Sequence, residues 1–157
     1  VEVIVWFQNE KSGTNYSGAL VKSIIKSALN ILSKDTEKVN TTPYVLNNYM
    51  NQSTQYVEGI LKKHSLTPVV IGDGSTVIGQ YPSGTTEVTT GSKVLVLTDG
   101  QKYTMPSMLG WSRKEAEAFA SLTGVEIKMN GLGSIYAQSI TKGTELKQGT
   151  VIELYAK

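Results

Sequence analysis

At 157 residues and a net charge of +2, the chain has room for one or two domains. It lacks the concentrated basic face that nucleic-acid binding by counterion release requires. It has no cysteine and one histidine, which excludes disulfides, thiolate metal sites and multi-histidine metal sites. No apolar run approaches the roughly 18–20 residues of a membrane span.

The chain opens on Val1-Glu2-Val3-Ile4-Val5-Trp6-Phe7-Gln8, rich in β-branched and aromatic residues and predicted to be a strand. Val3, Val5 and Phe7 share one face while Ile4 and Trp6 share the other, the pattern of a central strand covered on both sides. Such a strand expects partners beyond this sequence, so the chain reads as a piece of a larger protein that stays associated with the remainder. After a polar loop, an amphipathic helix is predicted from about Ser17 to Ser33, with Leu20, Ile24, Ile25, Ala28, Ile31 and Leu32 as its apolar stripe. Residues 1–35 form the first segment, and the polar, aperiodic stretch 36–43 is a linker.

The rest is an internal repeat at a spacing of 59 residues. Ser53-Thr54-Gln55 aligns with Ser112-Arg113-Lys114, Gly72-Asp73-Gly74 with Gly131-Leu132-Gly133, and Gly84-Thr85 with Gly143-Thr144. One deleted residue later, Gly91 aligns with Gly149 and Val94-Leu95-Val96-Leu97 with Ile152-Glu153-Leu154-Tyr155. The copies span 44–99 and 103–157. At about 55 residues each, they sit near the lower limit for folding alone.

Each copy follows one script. An extended lead (Tyr44-Val45-Leu46; Tyr103-Thr104-Met105) runs to a helix N-cap, which in the second copy is the capping box Ser112-Arg113-Lys114-Glu115. Val57, Ile60, Leu61 and His64 form the first helix face, and Ala116, Phe119, Ala120 and Thr123 the second. Gly124 provides a left-handed stop. Strands are predicted over Leu66–Ile71, Thr76–Tyr81 and Lys93–Thr98, and over Val125–Asn130, Ile135–Ile140 and Val151–Tyr155. The fold class is α+β: tandem β-α-β-β-β modules, each with one helix on a three-stranded sheet.

Leu66, Pro68 and Val70 match Val125, Ile127 and Met129 as the shared core face. The opposite face is Thr67, Val69 and Ile71 in the first copy but Glu126, Lys128 and Asn130 in the second, and Leu95 is answered by Glu153. The first module therefore expects a partner on Val69, Ile71 and Leu95, while the second has a solvated face.

Two segments imitate penicillin-recognising chemistry: Lys11-Ser12-Gly13-Thr14 as K-[ST]-G, and Ser23-Ile24-Ile25-Lys26 as the S-x-x-K nucleophile. They lie too close together, no S-x-N exists in the chain, and a second S-x-x-K, Ser139-Ile140-Thr141-Lys142, falls in a β region. We read all of them as chance matches, and no catalytic residue is assigned. The carboxylates Asp73, Asp99, Glu115, Glu117 and Glu126 show no metal-loop spacing, so neither a metal nor a cofactor is expected. His64, at a helix end, reads as structural. Trp111 and Tyr81 offer faces on which sugar rings can stack, although both residue types equally serve as packing.

The repeats resemble PASTA modules. Met105-Pro106-Ser107-Met108-Leu109-Gly110-Trp111-Ser112 is similar to the opening of such a module, and Tyr81-Pro82-Ser83-Gly84-Thr85 with Gly91-Ser92-Lys93-Val94 to its ending. The first copy departs where Asn47 replaces the opening proline, and the second where Ile140-Thr141 replaces Tyr-Pro. The leading strand, Tyr16-Ser17-Gly18 and the following helix resemble the final strand and helix of class B penicillin-binding transpeptidases of the septal 2x type. That resemblance implies a non-catalytic C-terminal portion of a peptidoglycan D,D-transpeptidase, outside the plasma membrane at the division septum. It places the active site upstream and the catalytic domain against Val69, Ile71 and Leu95. Its implied partners are the remainder of the transpeptidase, peptidoglycan and division proteins. The alternative is the extracellular PASTA sensor of a Ser/Thr receptor kinase, and a third reading is an autonomous serine hydrolase using Lys11-Ser12-Gly13.

Overall fold

A computed structural model describes residues 43–157. The strand, helix and linker expected before them lie outside the described residues, as do Lys11-Ser12-Gly13-Thr14 and Ser23-Ile24-Ile25-Lys26. Both repeats fall within one compact unit, Asn40–Lys157.

The first module contains β1 (Tyr44–Val45), α1 (Thr54–Lys63), β2 (Thr67–Ile71), β3 (Val77–Tyr81), β4 (Glu87–Val88) and β5 (Lys93–Thr98). The second contains β6 (Tyr103–Thr104), α2 (Arg113–Thr123), β7 (Glu126–Gly131), β8 (Ile135–Gln138), β9 (Glu145–Leu146) and β10 (Val151–Ala156). Each forms a three-stranded sheet, in the order β2-β5-β3 or β7-β10-β8, with the last strand at the centre. That strand runs parallel to the first and antiparallel to the second. The expected script lacked one part: the lead strand pairs with a two-residue strand, β1 with β4 and β6 with β9.

The helices end and begin by different means. Ser112 and Glu115 complete the capping box, each side chain meeting the other's backbone amide. Ser53 makes no such bond; the Thr54 amide donates instead to the Ser75 carbonyl at 2.8 Å. Val57 and Leu61 are buried, but His64 is exposed and stacks on Tyr44 with ring centroids 4.0 Å apart. It therefore leaves the buried stripe assigned to it and serves as a helix-end residue.

The structure moves the deletion. Leu46 N–H donates to the Thr86 carbonyl as Met105 N–H donates to that of Thr144, and Val77 N–H donates to Gln52 as Ile135 N–H does to Trp111. The copies thus change offset in the first glycine turn, before β3 and β8. Thr85, not Gly84, is the counterpart of Gly143. Both have left-handed backbone, φ 70° and φ 89°. Aligning glycine on glycine failed because Gly84 is small for another reason: a Cβ there would meet the Asn48 backbone at 3.0 Å.

Candidate functional site

The alternation along β5 sends its side chains into two cores. Val94 and Val96 join Leu46, Tyr49, Val57, Leu61 and Val77 under α1. Leu95 and Leu97, with Ile71, belong to the cluster built by Met105, Trp111, Phe119, Ile135 and Ile152 of the second module. Leu95 is fully buried and Ile71 only 2% exposed. Register explains the grouping, because Val69 faces Leu95 and Ile71 faces Leu97 across the parallel pair.

What covers this face is a flank of α2. Ala116 and Phe119 point into the second module's own core, while the half-buried Ala118 and Leu122 pack on the shared cluster from the neighbouring helix stripe. Close approach requires Gly79 on β3, where a Cβ would lie 3.0 Å from Leu122 Cδ2. At the edge, Lys93 Nζ meets Glu115 Oε1 at 3.2 Å. The partner expected on Val69, Ile71 and Leu95 was a catalytic domain; in the described residues Ile71 and Leu95 lie in the core shared with the second module, and the half-buried Val69 packs against it.

The sugar-stacking candidates are packing residues here. Trp111 is 3% exposed and meets Phe119 edge-to-face, centroids 6.3 Å apart. Tyr81 is half-buried at the margin of the shared cluster and sits opposite Leu95 in the β3–β5 register. The tyrosines that do reach solvent are Tyr56 on α1 and Tyr136 and Tyr155 in the second sheet. No group of three His, Asp or Glu side chains with metal-binding proximity occurs among the described residues.

A repeated glutamine clamp locks each lead segment onto its sheet. Gln80 Oε1 accepts the Tyr49 amide at 2.6 Å, and Nε2 donates to the Asn47 and Pro82 carbonyls. Gln138 does the same with the Met108 amide and the Pro106 and Ile140 carbonyls. The glutamines occupy equivalent positions, a signal that the misplaced deletion hid.

Docking of the modules leaves a cleft of about 490 Å³ between the edge strand β2 and the loop after β6. Pro68 and Val69 wall it on one side, and Met105, Pro106 and Trp111 on the other. Lys93 and Lys142 reach it, and no acidic residue lines it. A second hollow, at the start of α1, is lined by one module only, and its charges, Lys62 and Glu58, pair with each other at 2.7 Å.

The sequence matches the PASTA domain family twice, over residues 44–100 and 103–156. The chain belongs to the PASTA family. Among solved structures, the chain is similar in fold to penicillin-binding protein 2X from Streptococcus thermophilus, with a TM-score of 0.68 and 20% identity over 86% of this chain and 21% of that one. This chain therefore spans about one fifth of that protein's length. It is also similar to the extracellular region of the Ser/Thr kinase PrkC from Staphylococcus aureus, at 25% identity over 71% of this chain and 46% of that one, TM-score 0.29. A three-PASTA-domain structure of a Ser/Thr kinase from Staphylococcus aureus matches at 27% identity over 74% of this chain and 65% of that one, TM-score 0.29. Among the described residues no helix is long and apolar enough to cross a membrane.

Proposed function

We propose that this chain is the non-catalytic C-terminal portion of a septal peptidoglycan D,D-transpeptidase, carrying a fused pair of PASTA modules that positions the enzyme and contacts the cell wall. The parent crosslinks stem peptides through an acyl-enzyme serine that lies outside this sequence, at the outer face of the plasma membrane. The observation that carries the reading is the shared core. Ile71, Leu95 and Leu97 of one module are buried with Met105, Trp111 and Phe119 of the other, so the pair forms one body rather than two beads on a linker. A body of that kind holds a fixed spacing and orientation, which is what a positioning element must do. The fold likeness to penicillin-binding protein 2X supports the same reading.

Antibodies against residues 44–157 test it directly. They are expected to capture from cells a polypeptide that labels covalently with fluorescent penicillin. Capture of a polypeptide that instead autophosphorylates with labelled ATP assigns the modules to a receptor kinase. Cosedimentation of the purified chain with cell-wall sacculi tests the wall contact separately.

A further inference from the structure

We propose that the edge strand β7 is a self-association site, at which a second copy of this chain adds its own β7 antiparallel to the first. Each three-stranded sheet has two edges, and among the described residues three of the four are closed or interrupted. The loop before each helix meets β3 and β8: Asn51 N–H donates to the Val77 carbonyl, and Gly110 N–H to that of Ile135. On β2, Thr67 N–H points inward to the Ser92 carbonyl, so the outward positions are Pro68 and Val70. Proline has no N–H to give and interrupts any added strand. On β7, Glu126 N–H points inward to the Thr150 carbonyl, so the outward positions are Ile127 and Met129. Both are half-buried, and among the described residues no hydrogen bond from outside the sheet reaches their backbone. An edge of this kind is a template for another strand.

The side chains select the occupant and the register. With a two-fold axis at Ile127, the two Ile127 residues form a hydrogen-bonded pair that satisfies the outward N–H and C=O of each. Glu126 then lies directly opposite Lys128 of the second copy, and Lys128 opposite its Glu126, in the closer, non-hydrogen-bonded pairs. Both side chains are exposed, and neither has an ion-pair partner among the described residues. Across β10, Lys128 faces Glu153 but Glu126 faces Val151, so Glu126 has no cation opposite it in its own sheet. Moving the axis to Lys128 sets lysine against lysine; moving it to Met129 carries Glu126 past the end of the facing strand. A lone edge lysine ordinarily guards against strand addition. The glutamate two residues before it makes this edge complementary to itself. Two copies are thereby held side by side through their second modules, whichever parent protein carries them.

Sedimentation equilibrium of the full chain over a wide concentration range, with hydrogen exchange read at Ile127 and Met129, tests it. A monomer–dimer equilibrium is expected, weak because the strands are short, with exchange at both amides slowing as the dimer fills. Added salt should weaken it. Ile127→Pro gives the second module the residue its counterpart carries at 68, and should weaken the dimer about tenfold through the two hydrogen bonds it removes. Lys128→Glu and Glu126→Lys should each weaken it about fivefold, because each sets like charges directly opposite. The double exchange, Glu126→Lys with Lys128→Glu, should restore the wild-type equilibrium. Both charged positions are exposed, so these variants keep the fold and read the interface alone. A chain that stays monomeric at every concentration, a dimer untouched by the single reversals, or one that the double exchange fails to restore overturns the proposal. So does protection of Ile127 and Met129 that is independent of concentration, which assigns the edge to another segment of the same chain.

Discussion

Lys93 and Glu115 join the modules through the same carboxylate that caps α2. Oε1 of Glu115 meets Lys93 Nζ at 3.2 Å, while Oε2 accepts the Ser112 amide at 2.7 Å. A glutamine retains the capping geometry and loses the ion pair. Glu115→Gln should therefore cost under about 1 kcal/mol, as half-exposed pairs do. Glu115→Ala also removes the cap acceptor and should cost up to about 1 kcal/mol more. Urea denaturation measures both, with Lys93→Gln matching Glu115→Gln and the two failing to add. Equal losses from Gln and Ala would show that the cap contributes nothing.

Leu95→Glu places in the first module the residue that its counterpart carries at 153. In the second module that position faces solvent; at 95 it is fully buried against the other module. An unpaired buried carboxylate costs about 3–5 kcal/mol. The expected result is a melt that splits into two transitions and a larger radius by small-angle scattering. A single transition at nearly the wild-type temperature would contradict the shared core.

Three residues of the first module hold left-handed backbone where the second has glycine: Asn51 against Gly110, Ser65 against Gly124 and Thr85 against Gly143. The conformation is least suited to a β-branched residue. Thr85→Gly should raise stability by about 1 kcal/mol, and Gly143→Thr should lower it by a similar amount. No atom lies within 4 Å of a Cβ built on Gly143, so the change in chemical denaturation midpoint reads backbone conformation rather than a clash.

Tyr49 is buried, and its hydroxyl lies 3.2 Å from that of Tyr44. Burial, and then the bond to Tyr44, pushes its phenol well above the ordinary tyrosine value. A raised folded-state pKa gives a contribution that is complete below the unfolded value of about 10 and is lost as pH rises further. Stability should therefore fall from pH 9 to pH 11, and Tyr49→Phe should flatten that fall. The second module, with Met108 at the equivalent point, has no such group there. Parallel pH profiles for wild type and variant would remove Tyr49 as the cause.

Much of each module is legible in the sequence because its signals are local. The Ser112–Glu115 box, the alternation of Val94 to Leu97 and the succession of helix and strands along a copy all follow from spacing. That Val69, Ile71 and Leu95 need a cover was also legible, since a second apolar face on a small sheet does not suit water. Which surface supplies the cover was not, because an apolar pattern carries no address. The missing sign was a second stripe on α2, Ala118 and Leu122, set beside the Ala116–Phe119–Thr123 stripe that fills the module's own core. The cleft was harder still. Its walls come from distant segments, and Lys142 stood in the sequence only as the end of a chance S-x-x-K match.

The two halves of the docking device are divided between the copies. The receptive sheet, with Leu95 and Gly79, is in the first; the inserting helix flank, with Glu115, Ala118 and Leu122, is in the second. At the corresponding points the first helix has Tyr56, Gly59 and Lys63, and the second sheet has Glu153 and Ala137. A hybrid unit carrying both halves would concatenate without limit into a solenoid, whereas copies of either natural unit alone would hang loosely on their linkers.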